Sequence, residues 1–329
     1  MLRKRQVLLL GLSTILWTGN CGANSSTDSE SLINLRLERD NHFYARVEVD
    51  GYPMLWLVDT GAVKSAIDLK IAQKAKTSPV LSDSAYPQSL KVNGKLRQVA
   101  LIQKLTSQNF DFGSQPVALM DLRIERHLNE QSSDPGLEVG GILGLDILKE
   151  YQAVINCWTH ELLLNREMVS VPATPDELEK DRPITVSMTS TPKGHLQVVV
   201  KLAAVPASFI VDAGAALTFV SYSLANSLGL KPKLTSERIS SNFFGEKQIL
   251  RARVDSLGFG DFNAGPAELA MLGTKPGPGG AAASSGPSRQ VVVDGTDHAL
   301  GGFLGTDLLT KYHAIIDIGQ MTLSLKTSR

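Results

Sequence analysis

The feature of this sequence that most constrains its fold is an internal duplication. Three landmarks occur twice in the same order: an apolar run ending in Asp and Gly, a Phe-Gly pair followed by Pro, and a Gly-Gly-x-Leu-Gly-x-Asp motif. They lie at 55–62 and 207–215, 112–116 and 259–266, and 140–148 and 301–309. The spacing is similar in both halves, with 87 residues from Asp59 to Asp146 and 95 from Asp212 to Asp307. Three repeats in one order predict two homologous halves.

The duplication divides the chain of 329 residues into segments. The predicted boundaries are a leader at 1–24, a flexible spacer at 25–33, a first lobe at 34–165, a charged, proline-containing linker at 166–182 and a second lobe at 183–329. Short alternating apolar and polar runs between turn residues predict a mainly β fold. A cap residue, Asp68 or Ser221, predicts a short helix nine residues after each Asp of the first landmark, and Gly229 predicts the end of the second helix.

The N-terminus is predicted to direct export. Basic residues at 3–5 precede an apolar run of eleven residues at 7–17, which is short for a membrane span and typical of a signal peptide. We therefore expect a periplasmic or extracellular protein. Cys21 is a candidate for lipidation and thus for a membrane tether. The preceding Asn20 and Thr18 depart from the usual lipoprotein pattern, so an untethered exported protein stays an alternative.

Composition and residue spacing predict neither a nucleic-acid partner nor a metal or other cofactor. Lys plus Arg and Asp plus Glu number 33 each, and aromatic residues make up 6% of the chain. Nucleic-acid binding needs a basic surface and stacking aromatic side chains, so the sequence predicts none. The two cysteines and six histidines form no cluster with metal-ligand spacing, so neither a metal nor another cofactor is predicted.

The duplicated turns resemble a known family. Asp-Thr-Gly-Ala at 59–62, Asp-Ala-Gly-Ala at 212–215 and the distal Leu-Gly-x-Asp motifs are similar to retropepsin-like aspartyl peptidases of the pepsin clan, of the bacterial type. The resemblance covers nearly all of 34–329. It implies a bilobal acid-protease fold with pseudo-twofold symmetry and short helices, in which the two Asp turns meet. With both halves in one chain, we expect a monomer that is an internal pseudo-dimer.

The resemblance assigns catalysis to Asp59 and Asp212. Two carboxylates about 3 Å apart do not both ionise readily and share a proton, so one acts as a base towards water and the other as an acid. Gly61 and Gly214 would leave room for the turns to approach. The implied activity is hydrolysis of unfolded or extended peptides.

One turn departs from the family pattern. Thr60 matches the residue whose hydroxyl bonds across to the opposite turn, whereas Ala213 stands where the family has Thr or Ser. Half of a reciprocal contact is therefore missing, although both carboxylates remain. Three functions stay open: an endopeptidase, a catalytically silent protein that binds peptides or envelope polymers, and a structural envelope protein.

Further roles are predicted for residues between the repeated motifs. Asn93 and Gly94 form a hairpin turn signal, and Phe243, Phe244 and Gly245 occupy a comparable place in the second half. By family analogy, these turns belong to flaps that close over a peptide.

Two acidic residues and the histidines have plainer interpretations. Asp146 and Asp307 are interpreted as helix caps rather than catalytic groups. The six histidines form no repeated pair.

Because Ala62 and Ala215 carry no hydroxyl to stabilise an ionised carboxylate, we expect a mildly acidic to near-neutral working pH.

Overall fold

The structure is a computed structural model that describes residues 31–81, 85–92, 94–122, 136–164, 183–241, 245–272 and 300–326. The predicted leader at 1–24, which includes Cys21, and the predicted linker at 166–182 lie outside these residues. They remain predictions.

The described residues are mainly β. The strands and helices are β1 (Leu32–Asn34), β2 (Arg36–Leu37), β3 (Phe43–Val49), β4 (Tyr52–Val58), β5 (Ala66–Asp68), α1 (Leu69–Lys74), β6 (Ser78–Pro79), β7 (Ser89–Val92), β8 (Lys95–Ser107), β9 (Phe110–Met120), β10 (Val139–Leu143), α2 (Leu145–Glu150), β11 (Val154–Asn156), β12 (Glu161–Leu163), β13 (Ile184–Ser187), β14 (Thr189–Ser190), β15 (Leu196–Leu202), β16 (Val205–Val211), β17 (Phe219–Val220), α3 (Tyr222–Ser227), β18 (Lys233–Ser241), β19 (Gly245–Phe259), β20 (Phe262–Leu272), β21 (Leu300–Leu304), α4 (Thr306–Lys311), β22 (Ile315–Asp317) and β23 (Thr322–Leu325).

Two of the three sheets formed by the described residues have the same topology. In the first lobe the strand order is β2-β3-β4-β10-β5-β9-β8-β6, with β7 paired to β8, and in the second lobe it is β14-β15-β16-β21-β17-β20-β19-β18. The central pairs match in direction as well, because β10 runs parallel to β4 and β21 runs parallel to β16. The predicted duplication is therefore a duplication of structure.

A third sheet joins the lobes. Its order is β1-β12-β11-β22-β23-β13, and the lobes meet where β11 pairs antiparallel with β22. Ile155 lies opposite Ile316 at this seam, and both side chains are fully buried. The first strand of this sheet begins at Leu32, so the ordered lobe overlaps the last two residues of the spacer predicted at 25–33.

The two Asp turns begin at the ends of buried central strands. β4 and β16 carry apolar side chains on both faces, and the fully buried Trp56 lies near the end of β4. The amide of Asp59 donates to the Leu143 carbonyl at 3.0 Å, and that of Asp212 donates to the Leu304 carbonyl at 3.0 Å. Each Asp is thus held by the neighbouring parallel strand of its own sheet, and these two strands are equivalent in the two lobes.

The short helices begin where two of the caps were predicted. Asp68 accepts from the amide of Lys70 ahead of α1, and Ser221 accepts from the amide of Leu224 ahead of α3. After α3 the chain turns at Gly229, which has a φ of +62°. Each helix has six residues, and no helix in the described ranges is long and apolar enough to cross a membrane.

Asp146 and Asp307 do not stand at the predicted cap position, although each carboxylate accepts from an amide in the first turn of its helix, Ile147 at 3.0 Å and Leu308 at 2.8 Å. The cap positions of α2 and α4 are Gly144 and Gly305, which have no side chain to accept a hydrogen bond. The aspartates lie one residue inside each helix, where their carboxylates are directed to a neighbouring loop.

We expect the third sheet to contribute strongly to stability. Leu323 on β23 is fully buried, whereas Leu96 on β8 is 74% exposed. Leu323→Ala should lower the free energy of unfolding by about 2–5 kcal/mol because it leaves a cavity. The matched change Leu96→Ala should alter it by less than about 0.5 kcal/mol. Urea denaturation of both variants measures the difference, and equal losses would contradict the assigned burial.

Candidate active site

Asp59 and Asp212 meet between the lobes, 153 positions apart in the sequence. Their carboxyl groups are hydrogen-bonded to each other. The turns approach so closely that a Cβ on Gly61 would stand 2.5 Å from the carboxyl of Asp212, and one on Gly214 would overlap the carboxyl of Asp59. Only glycine fits at these two positions. Its lack of a side chain allows the close approach of the turns that was predicted from the sequence.

Backbone amides hold both carboxyl groups. Asp59 Oδ1 accepts from the amides of Gly61 at 2.7 Å and Ala62 at 3.0 Å. Asp212 Oδ1 accepts from the amide of Gly214 at 3.0 Å, and the Asp212 carboxyl group also accepts a hydrogen bond from the amide of Ala215. Amide donors favour the ionised form of a carboxyl group and set its orientation. The two groups are therefore fixed in direction by their own turns.

Burial is the main influence on the ionisation of this pair. It raises the pKa of Asp59, against the lowering effect of the Gly61 and Ala62 amides. It also raises the pKa of Asp212, and the neighbouring charge of Asp59 raises that pKa further. Two carboxylates in contact cannot both ionise cheaply, so the pair keeps one proton well above the pH at which a free carboxyl group loses it.

A one-sided hydrogen-bonding arrangement ties the turns together. The Thr60 hydroxyl donates to the carbonyl of Val211 at 2.7 Å and accepts from the amide of Ala213 at 2.9 Å. Ala213 offers no hydroxyl in return. In the second lobe, the buried Thr306 hydroxyl donates to the Ala213 carbonyl at 3.0 Å. The equivalent residue of the first lobe is Leu145, which has no hydroxyl.

In each lobe, a hydrogen bond between a hydroxyl and a carboxylate also holds the Asp turn in place, and it was not predicted from the sequence. Ser65 donates its hydroxyl to Asp146 at 2.6 Å and accepts from the amide of Gly144 at 2.9 Å. Thr218 donates to Asp307 at 2.7 Å and accepts from Gly305 at 3.0 Å. This is the function of the two aspartates that were interpreted as caps. A hydroxyl six residues after each Asp of the pair was the available signal.

The interpretation of the histidines as an unrepeated set is wrong for two of them. His42 and His195 stand immediately before β3 and β15, which are equivalent strands. His42 is close enough to Asp59 to lower the pKa of that carboxyl group, and the segment that carries His195 packs against the first turn, where a Cβ on Gly194 would stand 3.2 Å from the Val63 side chain. Both histidines therefore belong to the surroundings of the carboxyl pair.

The predicted hairpins form, although part of each turn lies outside the described residues. Val92 of β7 lies opposite Lys95 of β8, and Gly94 in the turn between them has a φ of +77°. Ser241 lies opposite Gly245 where β18 pairs with β19. Asn93, Phe243 and Phe244 are not among the described residues, so their predicted place in flaps stays a prediction.

Among the described ranges, no group of three or more His, Cys, Asp or Glu side chains is arranged to hold a metal ion.

The chain is similar to one described family and to a solved structure. Residues 198–277, which contain the Asp212 turn, match the family model described as gag-polyprotein putative aspartyl protease. A solved structure, the aspartic proteinase from Irpex lacteus, is similar at 13% identity over 90% of this chain and 97% of that chain, with a TM-score of 0.46. No curated protein matches the chain at a significant level.

Fold and site together define a class of protein. Two lobes of equal topology, joined by a shared sheet and meeting at paired Asp turns, form a mainly β, bilobal fold of the acid-protease type. The chain resembles the retropepsin-like aspartyl peptidases, with both halves in a single polypeptide.

We expect Asp212→Asn to stabilise the protein at neutral pH. The raised pKa means that the folded state binds more protons than the unfolded state, so stability falls as pH rises from 3.8, the ordinary pKa of the group, through the folded pKa. Asparagine removes that loss and still accepts from Gly214. The melting temperature should rise by on the order of a few °C at pH 7, and by less at pH 3.

The control for this change is Asp255→Asn, because Asp255 is exposed on β19. It should leave the melting temperature unchanged at both pH values. A lower melting temperature for Asp212→Asn at pH 7 would contradict the raised pKa.

Thr60→Val should be destabilising because it leaves the buried amide of Ala213 and the carbonyl of Val211 without their partner. The expected loss in the free energy of unfolding is about 1–3 kcal/mol. Thr60→Ser keeps the hydroxyl and should retain most of the stability. Chemical denaturation compares the three proteins, and equal stability of the valine and serine variants would show that the hydroxyl contributes nothing.

Proposed function

We propose that this protein is an aspartic endopeptidase, with Asp59 and Asp212 as its catalytic pair. The observation that carries the proposal is the hydrogen-bonded contact of two half-buried carboxyl groups whose pKa values are both raised by loss of solvation. A pair that holds one proton at mildly acidic to neutral pH has a base and an acid ready at the same place.

The proposed mechanism uses water as the nucleophile. The ionised carboxylate takes a proton from a water molecule as its oxygen forms a bond to the peptide carbonyl carbon. The protonated carboxyl group donates to the carbonyl oxygen, which yields a tetrahedral intermediate. The C–N bond then breaks as the amide nitrogen receives a proton from the pair. We assign the ionised role to Asp59, since its charge raises the pKa of Asp212.

The proposed substrate is an extended or unfolded peptide. Each lobe carries an antiparallel hairpin, β7 with β8 and β18 with β19. Extended peptides bind to such strands by main-chain pairing, with side chains in neighbouring pockets. Exposed apolar residues on these hairpins, Leu96 at 74% and Leu234 at 65%, favour peptides with apolar side chains.

A second candidate function rests on Ala213. A protein that kept the groove and lost turnover would bind extended peptides or envelope polymers without cleaving them. The missing hydroxyl at position 213 is the observation that favours this alternative, since it leaves the contact between the turns one-sided.

We also propose that the protein acts outside the cytoplasm, as a single chain whose two lobes form the complete site. The apolar run at 7–17 supports export, and Cys21 supports a lipid tether. Mass spectrometry of the N-terminus of the mature protein distinguishes a lipidated cysteine from a cleaved, untethered form.

Cleavage of unfolded proteins tests the main proposal. The purified protein should cut an unfolded substrate between pH 3 and 8, with pepstatin-sensitive activity that is highest at mildly acidic to near-neutral pH. Asp59→Asn should lower the rate by about 10²–10⁴-fold because the general base is lost.

The matched control Asp255→Asn should keep full activity, since that carboxyl group is exposed on β19. Absence of cleavage together with measurable peptide affinity would favour the silent binding protein. An optimum near pH 2 would contradict the raised pKa values of the pair.

A further inference from the structure

Each lobe has an equivalent tight turn, at 38–42 immediately before β3 and at 191–195 immediately before β15. In the first turn, the amide of Asn41 donates to the Glu38 carbonyl at 2.9 Å. In the second, the amide of Gly194 donates to the Thr191 carbonyl at 2.8 Å. Asn41 and Gly194 both stand 18 positions before the Asp of their own lobe. We call 38–42 and 191–195 the crossing turns, because each of them contacts the opposite lobe.

The first crossing turn binds the Asp turn of the second lobe. Asn41 has a left-handed backbone, with a φ of +63°, and its side-chain amide donates to the carbonyl of Ala216 at 2.7 Å. The preceding residue, Ala215, donates its amide to the carboxyl group of Asp212 and accepts from the amide of Thr306 at 2.8 Å. Asn41 therefore holds the second Asp turn directly behind the residue that orients its carboxyl group.

The second crossing turn is held by a side chain of the first lobe. Gly194 has no side chain to donate, and its carbonyl accepts instead from Lys149 Nζ at 2.9 Å. Lys149 lies on α2, the helix in which Asp146 accepts the hydroxyl of Ser65 at 2.6 Å. The helix that braces the first Asp turn is thus also bonded to the second lobe.

The side-chain donors in these contacts between the lobes all belong to the first lobe. They are Thr60, Asn41 and Lys149, and their acceptors are backbone carbonyls of the second lobe. The equivalent residues of the second lobe are Ala213, Gly194 and Thr310. Two of these have no side-chain donor, and the buried hydroxyl of Thr310 makes no hydrogen bond among the described residues. The first lobe therefore supplies from one side what two identical lobes would supply from both.

Lys149 stands in an environment that does not otherwise favour a cation. Loss of hydration lowers the pKa of Lys149, and no carboxylate among the described residues offsets that loss. A cation that is partly removed from water without an ion pair costs stability. The hydrogen bond to the Gly194 carbonyl is the contact that explains its position.

We propose that Asn41 and Lys149 are positioning residues for the peptidase reaction, which hold the second lobe against the first so that the two Asp turns stay at bonding distance. This inference rests on the proposed function. Both side chains act through the backbone of the second lobe, since neither is among the groups hydrogen-bonded to the carboxyl pair. They supply the contacts between the lobes that Thr60 alone leaves one-sided.

Replacing Asn41 by glycine tests the first contact. Glycine adopts a left-handed conformation without strain, so Asn41→Gly removes the donor and keeps the crossing turn. The kcat for peptide cleavage should fall roughly tenfold while KM stays within about twofold, because the pair is misplaced and the peptide-binding surface is intact. The matched control is Gln108→Gly, which removes a carboxamide from another left-handed residue that bonds Asn34 within the first lobe. It should keep the wild-type kcat.

Two substitutions of Lys149 test the second contact. Lys149→Met keeps the aliphatic stem and loses the donor, so kcat should again fall roughly tenfold. Lys149→Arg keeps a cationic donor and should restore about half of the wild-type kcat or more. The matched control is Lys201→Met, because Lys201 is exposed and its ammonium group reaches the carbonyl of Gly260 in its own lobe at 3.5 Å. It should match the wild type.

Three results would overturn the inference. The first is wild-type kcat in both Asn41→Gly and Lys149→Met. The second is an equal loss in Lys149→Met and Lys149→Arg, which would show that the hydrogen bond to Gly194 is not what matters. The third is a loss confined to KM, which would indicate contact with the peptide rather than positioning of the carboxyl pair.

Titration of the carboxyl pair tests the inference without cleavage. The charge of Asp59 raises the pKa of Asp212, and His42 also acts on the pair by lowering the pKa of Asp59. In the double variant Asn41→Gly/Lys149→Met the turns should separate, which weakens the repulsion and lets water in. The pair should then release its shared proton at lower pH than in the wild type.

The shift is measured by ¹³C NMR of the intact protein with labelled aspartate carboxyl groups, with the double control Gln108→Gly/Lys201→Met beside it. A titration of the Asn41→Gly/Lys149→Met protein identical to that of the wild type would overturn the inference. If the titration shifts as expected and the wild type cleaves no peptide under any condition, the proposed function fails while the positioning of the carboxyl pair by Asn41 and Lys149 stands.

Discussion

The contact between two half-buried carboxyl groups is the constraint on which the rest of this structure depends. Each group loses hydration at the lobe interface, and an unpaired charge there would be costly. The protein meets this cost with backbone amides aimed at Asp59 and Asp212, and with a proton that the two groups share. Glycines at 61 and 214 are what allow the approach, since any side chain would enter the space of the opposite carboxyl group.

The duplicated topology supports the two sides of this contact with equivalent elements. In each lobe a buried central strand ends at the Asp, and a parallel neighbour accepts the hydrogen bond of its amide. A hydroxyl six residues later then links the turn to a carboxylate in the helix after that neighbour. The helices are too short to be stable alone, and the sheet that joins the lobes keeps both turns in register. Precision at the interface thus comes from strand pairing.

The parts predictable from sequence were those whose signal is local. Asp59 and Asp212 follow apolar runs and precede glycine, and Asp68 and Ser221 are ordinary helix caps, so nearby residues were enough. Contacts over long separations were not predictable in this way. Ser65 and Asp146 lie 81 positions apart, and Asp146 in isolation looks like a cap. The histidine pair was hidden because Asn precedes one member and Gly the other, and only strand register shows that the two positions match.

The union of both halves in one polypeptide has a consequence for how the site can vary. In a dimer of identical half-length chains, every substitution appears on both sides of the axis and both carboxyl groups have the same neighbours. Here Thr60 faces Ala213, and Leu145 corresponds to Thr306, so each turn has diverged separately. The fused gene can therefore break the symmetry of its own centre, and the shared proton acquires a preferred side before any substrate binds.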